Sequence, residues 1–260
     1  MVDKKKVAFL GLGVMGFPMA GHLANNGYDV AVYNRTITKS EAWVSKYGGS
    51  FALTPREAAG GRDVVFTCVG NDDDVRAVVN SDDGVFNGMK EGAVLVDHTT
   101  ASANLAIELA EVAQNKGMAF LDAPVSGGQA GAENGALTVM CGGQEEHFEA
   151  VKEIMSAYSK AVTLMGKAGA GQLTKMVNQI CIAGVLQGLS EGMNFALKAS
   201  LDPNLVVEVI SKGAAGSWQM ENRAMTMVED KFDFGFAVNW MRKDLKIIFE
   251  EAQRNKARLP

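Results

Sequence analysis

Between Lys6 and Tyr33 the chain sets a short apolar run, three glycines in the order G-x-G-x-x-G, a helix-like stretch and a second apolar run. The spacing predicts a strand over Lys6 to Leu10, a helix from Met15 to Asn25 that stops at Gly27, and a strand over Asp29 to Tyr33. That is a βαβ unit, which commits the chain to parallel strands with a crossing helix. The glycine motif is Gly11-Leu12-Gly13-Val14-Met15-Gly16. Placed after a strand and opening a helix, its first glycine permits a tight turn, its second lets backbone approach a pyrophosphate, and its third lets helix pack on strand. The helix N-terminus then favours an anion.

The alternation continues for about 165 residues. Val64 to Val69, Ala93 to Asp97, Met118 to Asp122, Leu137 to Cys141 and Ala161 to Leu164 read as further strands, with helical segments such as Ser102 to Ala113 and Glu145 to Met155 between them. Thr38-x-x-Glu41 and Thr54-Pro55-Arg56-Glu57 have capping-box form, and Pro55 suits a first helical position. A mostly parallel sheet covered by helices on both faces is expected. After Gly166 the strands cease, and helices are expected over roughly 171–199, 203–212, 217–229 and 237–254, one starting at Asp202-Pro203. The fold class is therefore an α/β Rossmann dinucleotide-binding domain over 1–166, followed by a smaller all-helical domain over 167–260.

Composition narrows the function classes. A net charge of -5 with no basic block gives no reason to expect nucleic acid or an anionic membrane as a partner. Cys68, Cys141 and Cys181 fit neither a disulfide framework nor a zinc spacing, and are expected to be buried reduced thiols, with no metal bound. The apolar run ICIAGVLQGL is half the length of a bilayer span. MVDKKK before an apolar run imitates a signal peptide, but glycines interrupt that run at fixed spacing and a structured unit follows, so a cytoplasmic location is expected.

Cofactor choice is made after the second strand, where a carboxylate would bind the ribose 2′-hydroxyl of NAD. The chain instead has Asn34-Arg35-Thr36 there. Arg35 can pair with a 2′-phosphate through two parallel bonds while Asn34 and Thr36 donate others, so NADP(H) is expected over NAD(H). After Asp122, Ser126-Gly127-Gly128 can offer a hydroxyl and successive N–H groups to one anion, or form a plain turn. In GQLTKMVNQ, residues 171–179, Leu173, Met176, Val177, Ile180 and Gly184 recur at helical spacing and mark a packed face. Lys175, with Gln172, Asn178 and Gln179 near it, reads from this segment alone as part of a solvated polar stripe.

GLGVMG, DAPVSGG at 122–128, GQLTKMVN at 171–178 and MRKDL at 241–245 occur in the order and spacing of the β-hydroxyacid dehydrogenase family, which the chain resembles over essentially its whole length. That family includes 3-hydroxyisobutyrate dehydrogenases and glyoxylate/succinic semialdehyde reductases. The resemblance implies a Rossmann domain joined to a helical domain, with the active site in the cleft between them. It implies hydride transfer between NADP(H) and a small 3-hydroxy acid or the matching aldehyde acid. Lys175 matches the catalytic lysine, Asn178 a substrate-positioning asparagine, and Ser126, Gly127 and Gly128 the substrate loop. Thr100 matches a threonine beside the nicotinamide ribose, Val69 lies in the loop bordering the cofactor, and Lys243 lies close to both ligands. Burial and the charge of Lys243 are expected to lower the pKa of Lys175.

Two rival functions share the scaffold. Imine reductases resemble this family but usually lack the lysine, and a dinucleotide-binding sensor or scaffold would keep the fold without chemistry. Of the histidines, His22 and His147 are expected at the surface or in packing, while His98 follows a strand end, where contact with ligand is the minor alternative to packing. Trp218, Met220, Phe234, Phe236 and Trp240 could shape the pocket, with most of them expected in core or subunit contacts. Family members run some tens of residues beyond Pro260, so the helical domain is expected to be truncated at its C-terminus. Its small size would leave apolar surface for a second copy of the chain, and a homo-oligomer is expected.

Overall fold

The computed structural model describes residues 4–259. The chain alternates as expected through β1 (Lys6–Leu10), α1 (Gly16–Asn25), β2 (Asp29–Tyr33), α2 (Ile37–Tyr47), β3 (Ser50–Phe51), α3 (Pro55–Ala59), β4 (Val64–Thr67), α4 (Asp72–Val79) and β5 (Val94–Asp97). It continues through α5 (Ala103–Asn115), β6 (Ala119–Asp122), β7 (Val125–Ser126), α6 (Gly128–Glu133), β8 (Leu137–Gly142), α7 (Glu145–Met155) and β9 (Ser159–Gly166). Four helices follow: α8 (Ala170–Lys198), α9 (Pro203–Ile210), α10 (Trp218–Val228) and α11 (Val238–Asn255).

The strands form one sheet in the order β3-β2-β1-β4-β5-β6-β8-β7, with β9 paired to β8. From β3 to β6 every pairing is parallel. β8 runs antiparallel to β6 and β7 and parallel to β9. The first six strands have the order of a doubly wound dinucleotide fold, whose direction reverses between β1 and β4. Alternation along each strand divides the core. In β1, Val7 and Phe9 join one buried cluster with Val30, Val64 and Phe66, while Ala8 and Leu10 join the other with Val65 and Leu95. Phe9 and Phe66 stack at 5.9 Å, and removing either ring would cost about 3–5 kcal/mol.

Local signals act where they were expected at two helix starts. Thr54 accepts the N–H of Glu57 with Pro55 in the first turn, and Asp202 accepts the N–H of Asn204. The box at Thr38 does not form. α2 begins at Ile37 behind Thr36, which makes no side-chain cap bond, so Thr38 already lies inside the helix.

Two compact units result, one running up to Met176 and resumed from Val238, the other Val177–Ala237. The division falls inside α8. In the first unit the sheet carries both large cores, and α11 contributes the buried residues Asp244, Ile248 and Ala252. The second has its own core of Leu189, Met193, Met220 and Ala224. Of the five large residues singled out in the helical half, only Met220 is core; Trp218, Phe234, Phe236 and Trp240 are exposed. By length and composition α8 is long and apolar enough to cross a bilayer, because the helix continues far beyond the ten apolar residues. Cys181 is exposed, against the expectation of a buried thiol, because it lies on the outward stripe of α8; Cys141 is buried and Cys68 half-buried.

Candidate active site

The glycine loop shows which of its residues serve packing. Gly11 takes φ 97°, and a Cβ there would stand 2.2 Å from the carbonyl oxygen of Cys68. A Cβ on Gly16 would lie 1.9 Å from the Gly11 carbonyl oxygen, whereas one on Gly13 would meet nothing within 4 Å. Gly11 and Gly16 therefore hold strand, loop and helix together, and Gly13 leaves open space beside backbone N–H groups at the start of α1. That space suits a pyrophosphate. Val14 is exposed at the loop tip and Met15 is the residue before the helix.

At the end of β2 the Asn34 side chain accepts the Leu12 N–H at 2.9 Å and donates to the Thr36 carbonyl at 3.0 Å. Asn34 thus ties the glycine loop to the residues that follow β2. Arg35 is almost fully exposed, and its guanidinium lies 3.6 Å from the Asp74 carboxylate of α4. The expectation that no acid stands at this corner holds for the segment itself, but the fold brings one in from 39 residues away.

The carboxyl ends of β4 and β5 are joined by buried polar groups. Asp97 accepts the Thr67 hydroxyl at 2.8 Å and the Thr99 N–H at 3.0 Å. The Thr99 hydroxyl oxygen accepts the Val69 N–H at 3.0 Å, so the loop after β4 is pinned to the loop after β5. Burial pushes the Asp97 carboxyl up to about 6, against the hydrogen bonds from Thr99 and Thr67. Gly70 packs beside Trp240 of α11, where an added Cβ would come within 3.2 Å of the indole. Lys243, also on α11, donates to the carbonyl of Thr100 and lies 2.9 Å from Asp244.

Lys175 is 8% exposed. Burial pushes its ammonium down to about 8, with Asp244 opposing and Lys243 adding to the shift. The reading of a solvated stripe is thereby corrected: Gln172, Lys175, Met176 and Gln179 are buried, while Leu173, Val177 and Ile180 are exposed. The helix shows its apolar stripe outward and keeps its polar residues within, the reverse of an ordinary amphipathic helix.

Ser126 lies in β7 opposite Thr138, and Gly127 and Gly128 both take positive φ, 133° and 61°. Gly128 opens α6, and a Cβ there would meet nothing within 4 Å. Asn178 follows Lys175 along α8 and donates to Gln179 at 2.8 Å. His98 is buried, bonded to the Ala123 carbonyl at 2.6 Å and to the Tyr158 hydroxyl at 2.8 Å. With both ring nitrogens so engaged and burial pushing it down to about 4, His98 is a structural histidine. His22 is half-buried and bonds the carbonyls of Ala132 and Glu133.

The residues the sequence reading passed over are Asp74, Asp97, Thr99 and Asp244. Asp97 left a signal, since a carboxylate at the end of a wholly apolar strand needs partners. Asp74 left none, because only the tertiary fold brings it to Arg35.

Comparison with known proteins agrees with this architecture. Residues 6–166 match the NAD binding domain of 6-phosphogluconate dehydrogenase, and residues 169–260 the NAD-binding domain of NADP-dependent 3-hydroxyisobutyrate dehydrogenase. An uncharacterized oxidoreductase of Shewanella frigidimarina is 65% identical over 98% of this chain and 88% of its own length. The 2-hydroxy-3-oxopropionate reductase of Escherichia coli is 34% identical over 98% of this chain and 87% of its own. The crystal structure of 3-hydroxyisobutyrate dehydrogenase from Salmonella typhimurium superposes with a TM-score of 0.88 at 30% identity, covering 99% of this chain and 90% of that one. The chain belongs to the β-hydroxyacid dehydrogenase family of NAD(P)-dependent oxidoreductases, in its 3-hydroxyisobutyrate dehydrogenase-like branch.

Proposed function

We propose that this protein exchanges a hydride between NADP(H) and a small 3-hydroxy acid or the matching aldehyde acid, with Lys175 as general acid and base. The observation that carries the reading is a buried lysine with its ammonium brought down to about 8. A group poised near neutral pH can hold a proton in one direction and accept it in the other. When bound, the nicotinamide gives or takes the hydride. In reduction, the Lys175 ammonium stabilises negative charge growing on the carbonyl oxygen and donates the proton; in oxidation, its neutral amine removes the hydroxyl proton.

The remaining residues bind and orient. Backbone N–H groups of Gly13 to Met15 face the pyrophosphate, with Gly13 leaving the room it needs. Arg35, helped by Asn34 and Thr36, pairs with the 2′-phosphate. Val69 and Thr100 border the nicotinamide ribose, and Lys243 fixes Thr100 through its carbonyl. Ser126, Gly127 and Gly128 hold the substrate carboxylate through a hydroxyl and successive N–H groups. Self-association belongs to the same reading, because Val177, Phe195, Leu205 and Val209 of the second unit stand exposed as apolar surface that a second copy would cover. Sedimentation that returns only monomer removes that part.

The test is the initial rate of NADPH oxidation, with NADH in parallel, against glyoxylate, succinic semialdehyde, methylmalonate semialdehyde and tartronate semialdehyde. A strong NADPH-dependent rate with one of them is expected. Binding of NADPH with no turnover of any acid sinks the reading.

A further inference from the structure

Gln172 is 1% exposed, and it stands one helical turn before Lys175. Its side-chain amide is used in both directions: Oε1 accepts the Ala101 N–H at 3.0 Å and Nε2 donates to the Thr99 carbonyl at 2.7 Å. These two bonds bracket Thr100, whose own carbonyl accepts from Lys243. The backbone N–H of Gln172 is engaged as well, donating to Asp122 Oδ2 at 2.9 Å, while the Gly169 N–H donates to Asp122 Oδ1 at 2.8 Å. Asp122 ends β6, four residues before Ser126 of the Pro-Val-Ser-Gly-Gly loop. The start of α8 is thus fixed at two strand ends at once.

The fit around this point is tight. An added Cβ on Gly171 would lie 2.4 Å from the Met140 carbonyl oxygen and 2.8 Å from the Asp122 carboxylate. One on Gly142 would lie 2.4 Å from that same carboxylate. Tight packing alone sets how near the helix comes, whereas directional bonds set its rotation about its own axis. A side-chain tip about 6 Å from a helix axis moves about 2 Å for a 20° rotation. Proton transfer needs heavy atoms within about 2.6–3.2 Å, so such a rotation is enough to take Lys175 out of reach.

We infer that Gln172 is a positioning residue for catalysis, whose amide locks the rotation of α8 against the Thr99–Ala101 loop and so holds Lys175 Nζ in register with the reacting oxygen. The inference rests on the proposed role of Lys175. It assigns Gln172 no contact with substrate or cofactor.

The experiment uses the full chain with NADPH and the best aldehyde acid, and compares wild type with Gln172→Met, Gln172→Glu and Lys175→Ala. Gln172→Met keeps the volume and removes both bonds. Its kcat is expected to fall about 100-fold while the Kd for NADPH and the substrate KM stay within about threefold, and the pH midpoint of kcat should move. In Gln172→Glu a protonated carboxyl reproduces both bonds, whereas the carboxylate loses the one to Thr99. Its kcat relative to wild type at the same pH should therefore rise as pH falls. A kcat for Gln172→Met within threefold of wild type overturns the inference. So does a flat ratio for Gln172→Glu, which also decides the matter if the methionine variant does not fold. Near-wild-type turnover by Lys175→Ala overturns this inference together with the catalytic role of Lys175. An inactive Lys175→Ala beside an undamaged Gln172→Met removes only the role of Gln172.

Discussion

Asp97 and Asp122 are register partners at the ends of neighbouring parallel strands, so two buried carboxylates stand side by side at the carboxyl end of the sheet. Each is raised above the ordinary carboxylate range, chiefly by burial, and for Asp97 the neighbouring Asp122 adds to the shift. They bind different partners, Thr67 and Thr99 on one side and the start of α8 on the other.

This pair gives the first prediction, on stability against pH. Asp97 is raised from 3.8 to about 6, so its contribution is fully present below pH 3.8 and is lost as pH rises through 6. His98 is lowered from 6.5 to about 4, so its contribution is fully present above pH 6.5 and is lost as pH falls through 4. Each spans about 3 kcal/mol over nearly the same window, in opposite directions. Urea unfolding of the wild type should therefore show little net slope from these two groups between pH 4 and 6.5. Replacing His98 with glutamine should uncover a stability that declines with rising pH; an unchanged slope contradicts the opposition of the two.

Lys175 supplies the second. Reduction requires the protonated amine, so its rate should fall above pH 8, and the reverse oxidation should rise through the same midpoint. Asp244 raises the Lys175 pKa and Lys243 lowers it. Asp244→Asn should move both limbs to lower pH. Lys175→Ala should reduce kcat by about 100- to 10,000-fold with NADPH affinity unchanged, measured by fluorescence titration.

Cofactor selection is tested at the corner where Arg35 meets Asp74. Arg35→Gln should raise the KM for NADPH about tenfold and leave that for NADH nearly unchanged. Asp74→Asn removes a half-buried carboxylate that competes for the guanidinium, and should improve NADPH binding by about two- to fivefold. An Arg35→Gln variant that loses both cofactors equally speaks against recognition of a 2′-phosphate.

The three loop glycines should separate binding from folding. Gly13→Ala meets no protein atom, so its thermal stability should match wild type while NADPH binding weakens by at least tenfold. Gly16→Ala drives a methyl into the Gly11 carbonyl and should cost several kcal/mol in urea unfolding, about 1–3 or more as overpacking does elsewhere. Equal loss of stability in both would mean that Gly13 is also a packing residue.

The sheet was legible because its strands are short apolar runs ended by glycine or by acids, and β1 and β2 fall on the residues expected. β3 and β7 are two residues each, too short to show a period, and they were not anticipated. The glycine motif was legible because each glycine has a separate steric duty. The exposed and buried sides of α8 were not, since reading apolar residues inward fails for a helix whose polar side is enclosed. Gln172 was visible as a neighbour of Lys175, but its two bonds depend on Thr99 and Ala101, about 70 residues earlier in the chain. The encounter of Arg35 with Asp74 likewise needed the fold before it could be seen.

The return of α11 to the first unit has a consequence for the order in which the protein is made. Domains fold as units during synthesis, amino-terminal parts first, and the phosphate loop and most of the sheet are complete once β9 has emerged. The bonds of Lys243 to Thr100 and of Arg254 to Asn104 cannot form until the ribosome has passed α11, long after their partners were laid down. A nascent chain paused before Val238 would therefore have its cofactor loop in place but lack Lys243 and Asp244, the two charges that tune Lys175. The setting of Lys175 therefore depends on residues that join the first unit only after the whole of the second unit, Val177–Ala237, has been made.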